Sequence, residues 1–527
     1  MSKRYLYLFF LCTIFPTFSF PQNNQTLVPA SSIVYEYLRV LTAEQKEIPR
    51  IAEKPASKAM ILDTLEQVEY NDLAPSSKRI YEELLHELKP RPFYSEPEGM
   101  ALDVEAEINL ETYYQGDYKK TEWQQQDSSR LPFLNFPVEG WFSHSLYARF
   151  DLTMRKVPFL YEVSPSHDGR WINVPVNMAQ LDYQFPPSAY IAAGGPHWGV
   201  QLGRDTLSYG SGRTGNFLIS DEIPYFNFVR ARTDWDAFSF FYTAIDLEPR
   251  DAEQSDQRYL FSHGFMLNFI PRLRITIKES SLLADKEPSL TYINPLYMFH
   301  NWYLESSNSI LTVDAELNLM KGVNLYGVLA VDQLKTFFEQ MFYSDNYTPD
   351  AFGYLLGTEV SLPFSEGYWL GNIEWVYTNP WLYIHEENNA DLVWTGNIES
   401  NVDGAFTKTM PLGYPSGPDS MLLHSSLSYM KPRFYRLGGG YSFQLKGEQS
   451  IDTEWDDTKE AFMRTTPTGT AETTHALWCN LTWYPRVFTP LKEIGTGLTY
   501  LFTRNEKNIE GSDAQDLQWS VRFSVAF

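Results

Sequence analysis

The sequence predicts a mainly β protein: a transmembrane antiparallel β-barrel of about sixteen to eighteen strands with an N-terminal periplasmic α-helical bundle. Three features point there. The final stretch, Leu517 to Phe527, alternates apolar and polar residues and ends on an aromatic. The same period of two recurs from about residue 100 onward. A basic pair followed by an apolar run opens the chain and marks it for export.

The chain divides into 1–21 (signal peptide), 22–96 (periplasmic helical bundle and Pro-rich linker) and 97–527 (outer-membrane barrel). In the first part, Lys3-Arg4 precede the apolar run Tyr5 to Phe20, which gives way to the polar Gln22-Asn23-Asn24. Nothing after residue 21 approaches the ~18 consecutive apolar residues a spanning helix needs, so any spanning falls to strands. In the second part, Ile33, Tyr37, Leu38 and Leu41 repeat at helical spacing, as do Ile61, Leu65, Val68 and then Ile80, Leu84, Leu88. Ser57 and Ser76, close behind Pro55 and Pro75, are expected N-caps. Pro90, Pro92 and Pro97 form a stiff linker.

Beyond it the apolar positions fall on every second residue. Val104, Ala106, Ile108 and Leu110 alternate with Glu105, Glu107, Asn109 and Glu111. Phe142, Leu146, Ala148, Phe150 and Leu152 form a second such run. Leu311, Val313, Ala315 and Leu317 alternate with Thr312, Asp314, Glu316 and Asn318. Tyr435, Leu437, Tyr441 and Phe443 face away from Arg436, Ser442 and Gln444. Further strands are expected near 197–206, 236–246, 258–269, 272–278, 323–332, 354–362, 368–378, 419–429, 475–484 and 494–503. The polar stretches 155–175, 335–350, 386–417 and 447–470 read as loops. In a membrane barrel the apolar face meets lipid and the polar face lines the lumen. In the last strand Trp519, Phe523 and Phe527 form the barrel-closing signal.

Composition narrows the function. Lys+Arg 42 against Asp+Glu 66 gives a net charge of −24, which points away from nucleic acid. Of the two cysteines, Cys12 lies in the leader; the remaining Cys479 and unclustered histidines predict no metal site. Gly210-Ser211-Gly212-Arg213-Thr214-Gly215 matches G-x-G-x-x-G, but Asn216 to Asp221 carry no helical period. A dinucleotide site needs a helix to start there, so the stretch reads as a turn or a close backbone approach. No nucleophile–base arrangement stands out. An enzyme is not predicted, nor is a cofactor.

Several stretches together resemble the Wzi-like capsule-assembly family of outer-membrane β-barrel proteins. They are Gly203-Arg204-Asp205 with Tyr209 to Gly212 and Leu218-Ile219-Ser220, then His263-Gly264, Lys278-Glu279 and Tyr292 to Pro295. Tyr383-Ile384-His385, Pro411 to Tyr414 and Gly417 to Ser420 continue the order. The resemblance implies a barrel of about eighteen strands and a role in holding polysaccharide at the cell surface. Sugar binding needs aromatic faces and planar hydrogen-bonding groups in one groove. Arg204, Asp205, Arg213, His263, Glu279 and Asn294 are the lumenal or glycan-contact candidates, or alternatively a buried network bracing the lumen. The expected partners are outer-membrane lipid, the barrel-insertion machinery and surface polysaccharide. Two alternatives stay open: an outer-membrane pore gated or plugged by the helical bundle, and a soluble secreted lectin.

Overall fold

The computed structural model describes residues 23–89, 92–95, 99–117, 130–156, 169–182, 186–250, 257–297, 307–333, 349–400, 404–456, 464–485 and 490–527. The expected leader lies outside them, as do Pro90 and Pro97 of the expected linker.

Strand β1 runs in two pieces, Met100–Val104 and Glu107–Gln115, and is followed by β2 (Leu134–Phe142) and β3 (Leu146–Met154). Then come β4 (Ala189–Gly195), β5 (Trp198–Asp205), β6 (Phe226–Trp235) and β7 (Phe238–Leu247). The longest run is β8 (Arg258–Ile270), β9 (Leu273–Ala284), β10 (Ser307–Met320), β11 (Val323–Gln333), β12 (Ala351–Phe364) and β13 (Gly367–Thr378). The circuit ends with β14 (Ser420–Lys431), β15 (Tyr435–Lys446), β16 (Glu472–Trp483), β17 (Leu491–Arg504) and β18 (Ala514–Ala526). Each pairs antiparallel with its neighbours, and β18 returns to β1 with Gln518 opposite Gln115 and Ala526 opposite Glu107. The result is a closed barrel of eighteen strands. Closure leaves no unpaired strand edge facing lipid, which is the condition for spanning a bilayer with strands.

The alternation read from the sequence sets the two faces of the wall. On β18, Leu517, Trp519 and Phe523 are 47%, 50% and 38% exposed, whereas Gln518 and Ser524 are buried. The outward row therefore presents an apolar surface of the kind a bilayer core requires, and the inward row lines the lumen. Outward aromatics gather at both ends of the strands, as interfacial girdles do. Trp198, Trp235, Phe364, Trp369 and Trp483 lie toward one end, and Tyr354, Trp375 and Tyr377 toward the other.

The two ends differ. At one end the strands are joined by tight turns, such as Asp236-Ala237, Pro271-Arg272 and Lys321-Gly322; the other carries the long connections. The run that read as continuous from Phe142 to Leu152 is split by such a turn at Ser143 to Ser145, so Phe142 and Leu146 sit on neighbouring strands. β4, β6 and all of β2 but Phe142 escape sequence reading, because Gly, Ala, Pro, Arg and Asp break their alternation. The expected loop 386–417 holds a hairpin of its own, Val393–Ser400 with Gly404–Pro411.

Three short helices stand at the tight-turn end: α1 (Val34–Glu44), α2 (Lys58–Glu66) and α3 (Pro75–Glu87). Ser57 caps α2 as expected, accepting from the Met60 amide at 3.4 Å. Ser76 does not cap α3. Pro75 takes the first helical position behind Ala74, where its fixed φ suits the helix and its missing N–H leaves no donor orphaned. Tyr37, Leu38, Leu41, Ile61, Leu65, Ile80 and Leu84 pack together and against Tyr368, Leu370 and Met430 of the wall. The Gly322 amide donates to Ala43 O at 2.8 Å and the Ile48 amide to Pro271 O at 2.9 Å, so the helices are tied to the turns themselves.

Phe527 extends the closing seam past β18: its amide donates to Ala106 O at 2.9 Å and its carbonyl accepts from Ala106 N at 3.2 Å. Both bonds bridge the gap between the two pieces of β1. Deleting Phe527 is expected to lower the yield of inserted barrel. The check is the fraction of unboiled protein that shows a heat-dependent mobility shift on a denaturing gel; an unchanged fraction would contradict this role.

Candidate functional site

The lumen is where the chain departs from a plain cylinder. Between β5 and β6, residues 206–225 turn inward and lay Leu207, Tyr209, Phe217, Leu218 and Ile219 into the buried core of the barrel. Two glycines permit the path. Gly210 (φ +140°) and Gly215 (φ +146°) occupy backbone regions that side chains avoid, and a Cβ on Gly210 would lie 2.3 Å from Asn216 Oδ1. From the helical end, residues 49–56 enter as well. Glu53 and Lys54 pair antiparallel with Tyr209 and Ser208, and the Gly210 amide donates to Ala52 O at 3.2 Å. Segments from opposite ends of the barrel thus meet inside it.

The G-x-G-x-x-G stretch is an anion cradle, filled by the barrel's own carboxylates. The Ser211 amide and hydroxyl each donate to Asp314 at 2.7 Å. The Arg213 and Thr214 amides donate to Glu374 at 2.8 and 2.9 Å. Successive backbone N–H groups make a positive concavity of the kind that elsewhere holds phosphate. Here Asp314 and Glu374 occupy that position, which leaves no place for a nucleotide.

Arginines complete the arrangement. Arg213 Nε donates to Glu359 at 2.9 Å, its guanidinium stands 4.6 Å from the centre of the Tyr326 ring, and Glu316 lies 3.5 Å away. Burial alone would lower the pKa of Arg213; Glu359 and Glu316 outweigh it and hold the group above its ordinary value. Arg274 Nη2 donates to Glu316 and to the Ser211 hydroxyl, each at 2.7 Å, while Nη1 donates to Pro49 O and Ile51 O. Arg39 of α1 reaches Glu359 at 3.1 Å. Arg230 donates to Gln201 at 2.7 Å and to Pro55 O. On the entering segment, burial and the neighbouring Arg39 charge pull the Lys54 ammonium down to about 8. Burial raises Glu53 against the pull of Lys278 and Arg230.

The wall from β14 to β18 is built differently. Its inward residues include Ser426, Ser428, Gly438, Gly440, Gly495, Gly497 and Ser520, and their small size leaves a cavity of about 410 Å³. Trp478, Asn480, Gln518, Arg522 and Glu111 also border it. His424 lies parallel to the Trp478 indole and offset from it, with 6.4 Å between ring centres and 15° between the planes, and its Nδ1 lies 2.8 Å from the Ser442 hydroxyl.

The residues singled out from the sequence do not converge on one place. Arg213 is within the charge network, and Asp205 faces inward at the end of β5, accepting from the Thr206 amide at 2.9 Å. Arg204 has the opposite parity and faces outward at the long-loop end, where it donates to Asn227 at 2.8 Å and covers the Tyr225 ring at 4.1 Å. His263 and Glu279 are paired at 3.3 Å but also lie on the outward face. Their inward neighbours are Gly264 and Lys278, because a step of one residue along a strand crosses the wall. Asn294 is exposed in the β9–β10 connection and accepts from the Leu296 amide at 3.1 Å. Trp519 and Phe523 face outward on the closing strand.

Sequence reading did not select Arg274, Lys278, Glu359, Glu374, Trp478 or Asn480 as site residues, although Lys278 lies in one of the stretches quoted for the resemblance. The signal for the first four was a charge on the inward parity of a strand. Trp478 stood out only as an aromatic on the face where its strand carries Thr482 and Asn480.

No family model and no curated protein matches this chain. Among solved structures it is similar to Wzi, described as an outer membrane protein involved in group 1 capsule assembly in Escherichia coli and a carbohydrate-binding β-barrel. The TM-score is 0.62 at 13% identity, over 95% of this chain and 99% of that one. At that identity the likeness is one of fold. The outer membrane channel DcaP of Acinetobacter baumannii aligns with a TM-score of 0.36 at 10% identity, over 83% of this chain and 100% of that one. OprD of Pseudomonas aeruginosa aligns with 0.39 at 8% identity, over 81% and 95%.

The cradle makes a direct prediction. Glu374→Gln removes the charge that four donors share, the Arg213 and Thr214 amides and the Thr214 and Tyr326 hydroxyls, and should weaken the seat of the inward loop by about 1.5–3 kcal/mol. Hydrogen exchange at the Arg213 and Thr214 amides should then quicken by about one to two orders of magnitude, read by mass spectrometry in detergent. Unchanged exchange at those two amides would contradict the cradle.

Proposed function

We propose that this chain is a non-enzymatic outer-membrane barrel that binds or organises polysaccharide at the cell surface. The observation that carries the reading is the filled lumen: residues 49–56 and 206–225 meet across it and are fixed by Arg213, Arg274 and the inner carboxylates. A barrel built to conduct keeps a wet passage, whereas this one spends its interior polar groups on one another. The tight-turn end, with its three helices, faces the periplasm as a helical bundle, and the long connections face outward, following the usual sidedness of such barrels. The carbohydrate-binding barrel Wzi, whose fold aligns with this one over 99% of its length, supports the same reading. The Ser442–His424 contact does not make a hydrolase, since no carboxylate hydrogen-bonds that imidazole among the described residues.

Two measurements test the reading. Cells lacking the protein should shed surface polysaccharide into the medium, and restoring the full chain should retain it; equal retention would overturn the proposal. In planar bilayers the intact protein should conduct little, and deletion of residues 206–225 should open a steady conductance. Large conductance from the intact protein would favour the channel reading.

A further inference from the structure

The cavity against β14 to β18 has the chemistry of a sugar site. Three inward rows cross these strands. One runs Gly440, Trp478, Thr499, Gln518; the next runs Gly438, Asn480, Gly497, Ser520; the third runs Arg436, Thr482, Gly495, Arg522. The glycines decide the shape. A Cβ at Gly440 would fall 2.6 Å from the Trp478 ring, so glycine there lets the indole lie along the wall. Gly438 does the same for Asn480, whose Oδ1 would meet a Cβ at 2.6 Å. Asn480 is exposed although it points inward, so solvent reaches the cavity; among the described residues its amide has no hydrogen bond.

We infer that this cavity binds an uncharged pyranose unit of a surface polysaccharide, stacked on Trp478 and held by Asn480. The inference rests on the function proposed above and gives it a location. An indole presents a π-face to the C–H face of a sugar ring, and amides and hydroxyls of the Asn480, Thr482, Thr499 and Ser520 kind satisfy ring hydroxyls. A volume of about 410 Å³ lies within the usual range for small-molecule sites, about 300–1,000 Å³. The charge balance selects against an acidic sugar. The two cations in these rows are already paired: Arg522 is bonded to Glu111 and lies 3.5 Å from Glu493, and Arg436 donates to Glu36 at 3.0 Å.

The test uses the full chain in detergent and short oligosaccharides cut from the polysaccharide of the producing cells, with binding followed by calorimetry. Trp478→Ala and Asn480→Ala should each weaken binding about tenfold or more. Gly497→Phe should abolish it by filling the space; a Cβ there meets only Ser520 Oγ at 3.1 Å and Cys479 O at 4.0 Å, so the wall accommodates the branch point. Each variant is first required to keep its heat-dependent gel shift, and Asn480→Ala removes a side chain with no structural bond to lose. If the wild type and all three variants bind alike, the cavity is not the site, although polysaccharide binding stands. If the wild type binds none of the oligosaccharides, the function proposed above falls and the cavity assignment falls with it.

Discussion

Four buried carboxylates on the inner wall, Asp314, Glu316, Glu359 and Glu374, set the terms for the interior. Removing a carboxylate from water is costly unless donors surround it. The wall strands do not supply enough of them. Arg274 of β9 serves Glu316, and the remaining donors come from outside the wall: the Ser211, Arg213 and Thr214 amides and the Arg213 guanidinium of the inward loop, and Arg39 of α1. The course of the loop, the glycines at 210 and 215 and the entry of residues 49–56 all follow from that requirement. A network of this kind fixes a shape more than it adds stability, since a greasy plug would pack as well.

The barrel itself was largely legible. Lipid and lumen impose opposite demands on successive residues, so the period of two survives in β10, β15 and β18 and gives the faces directly. It failed where the demand was relaxed. β4 is mostly Ala and Gly, and β6 carries Arg and Asp where its inward face joins the network. The site was less legible, because a motif of consecutive residues on a strand straddles the wall and sends its members to opposite faces. His263-Gly264 and Lys278-Glu279 show this: the structure sends Lys278 inward and the His263–Glu279 pair outward. Arg213 was legible for another reason, since it lies in a loop whose glycines marked an unusual backbone.

The same physics explains how a fold of this type persists while its sequence drifts. Outward positions ask only for an apolar or aromatic side chain, and inward positions away from the network ask for small or polar ones. Many residues satisfy either condition. A likeness along almost the whole chain at 13% identity is what such a loose specification allows.

The short ladder between Glu53-Lys54 and Ser208-Tyr209 joins a segment rooted among the helices to one rooted among the long connections. In mechanical terms it is a tie rod through the middle of a hollow shaft. A pull on either end is carried by the rod toward the other mouth and shared with the wall, which grips both segments through Arg230, Arg274, Asp314 and Glu374. The two mouths are thereby coupled through the lumen, and a disturbance at one is felt at the other by way of bonds that no strand-to-strand ladder provides.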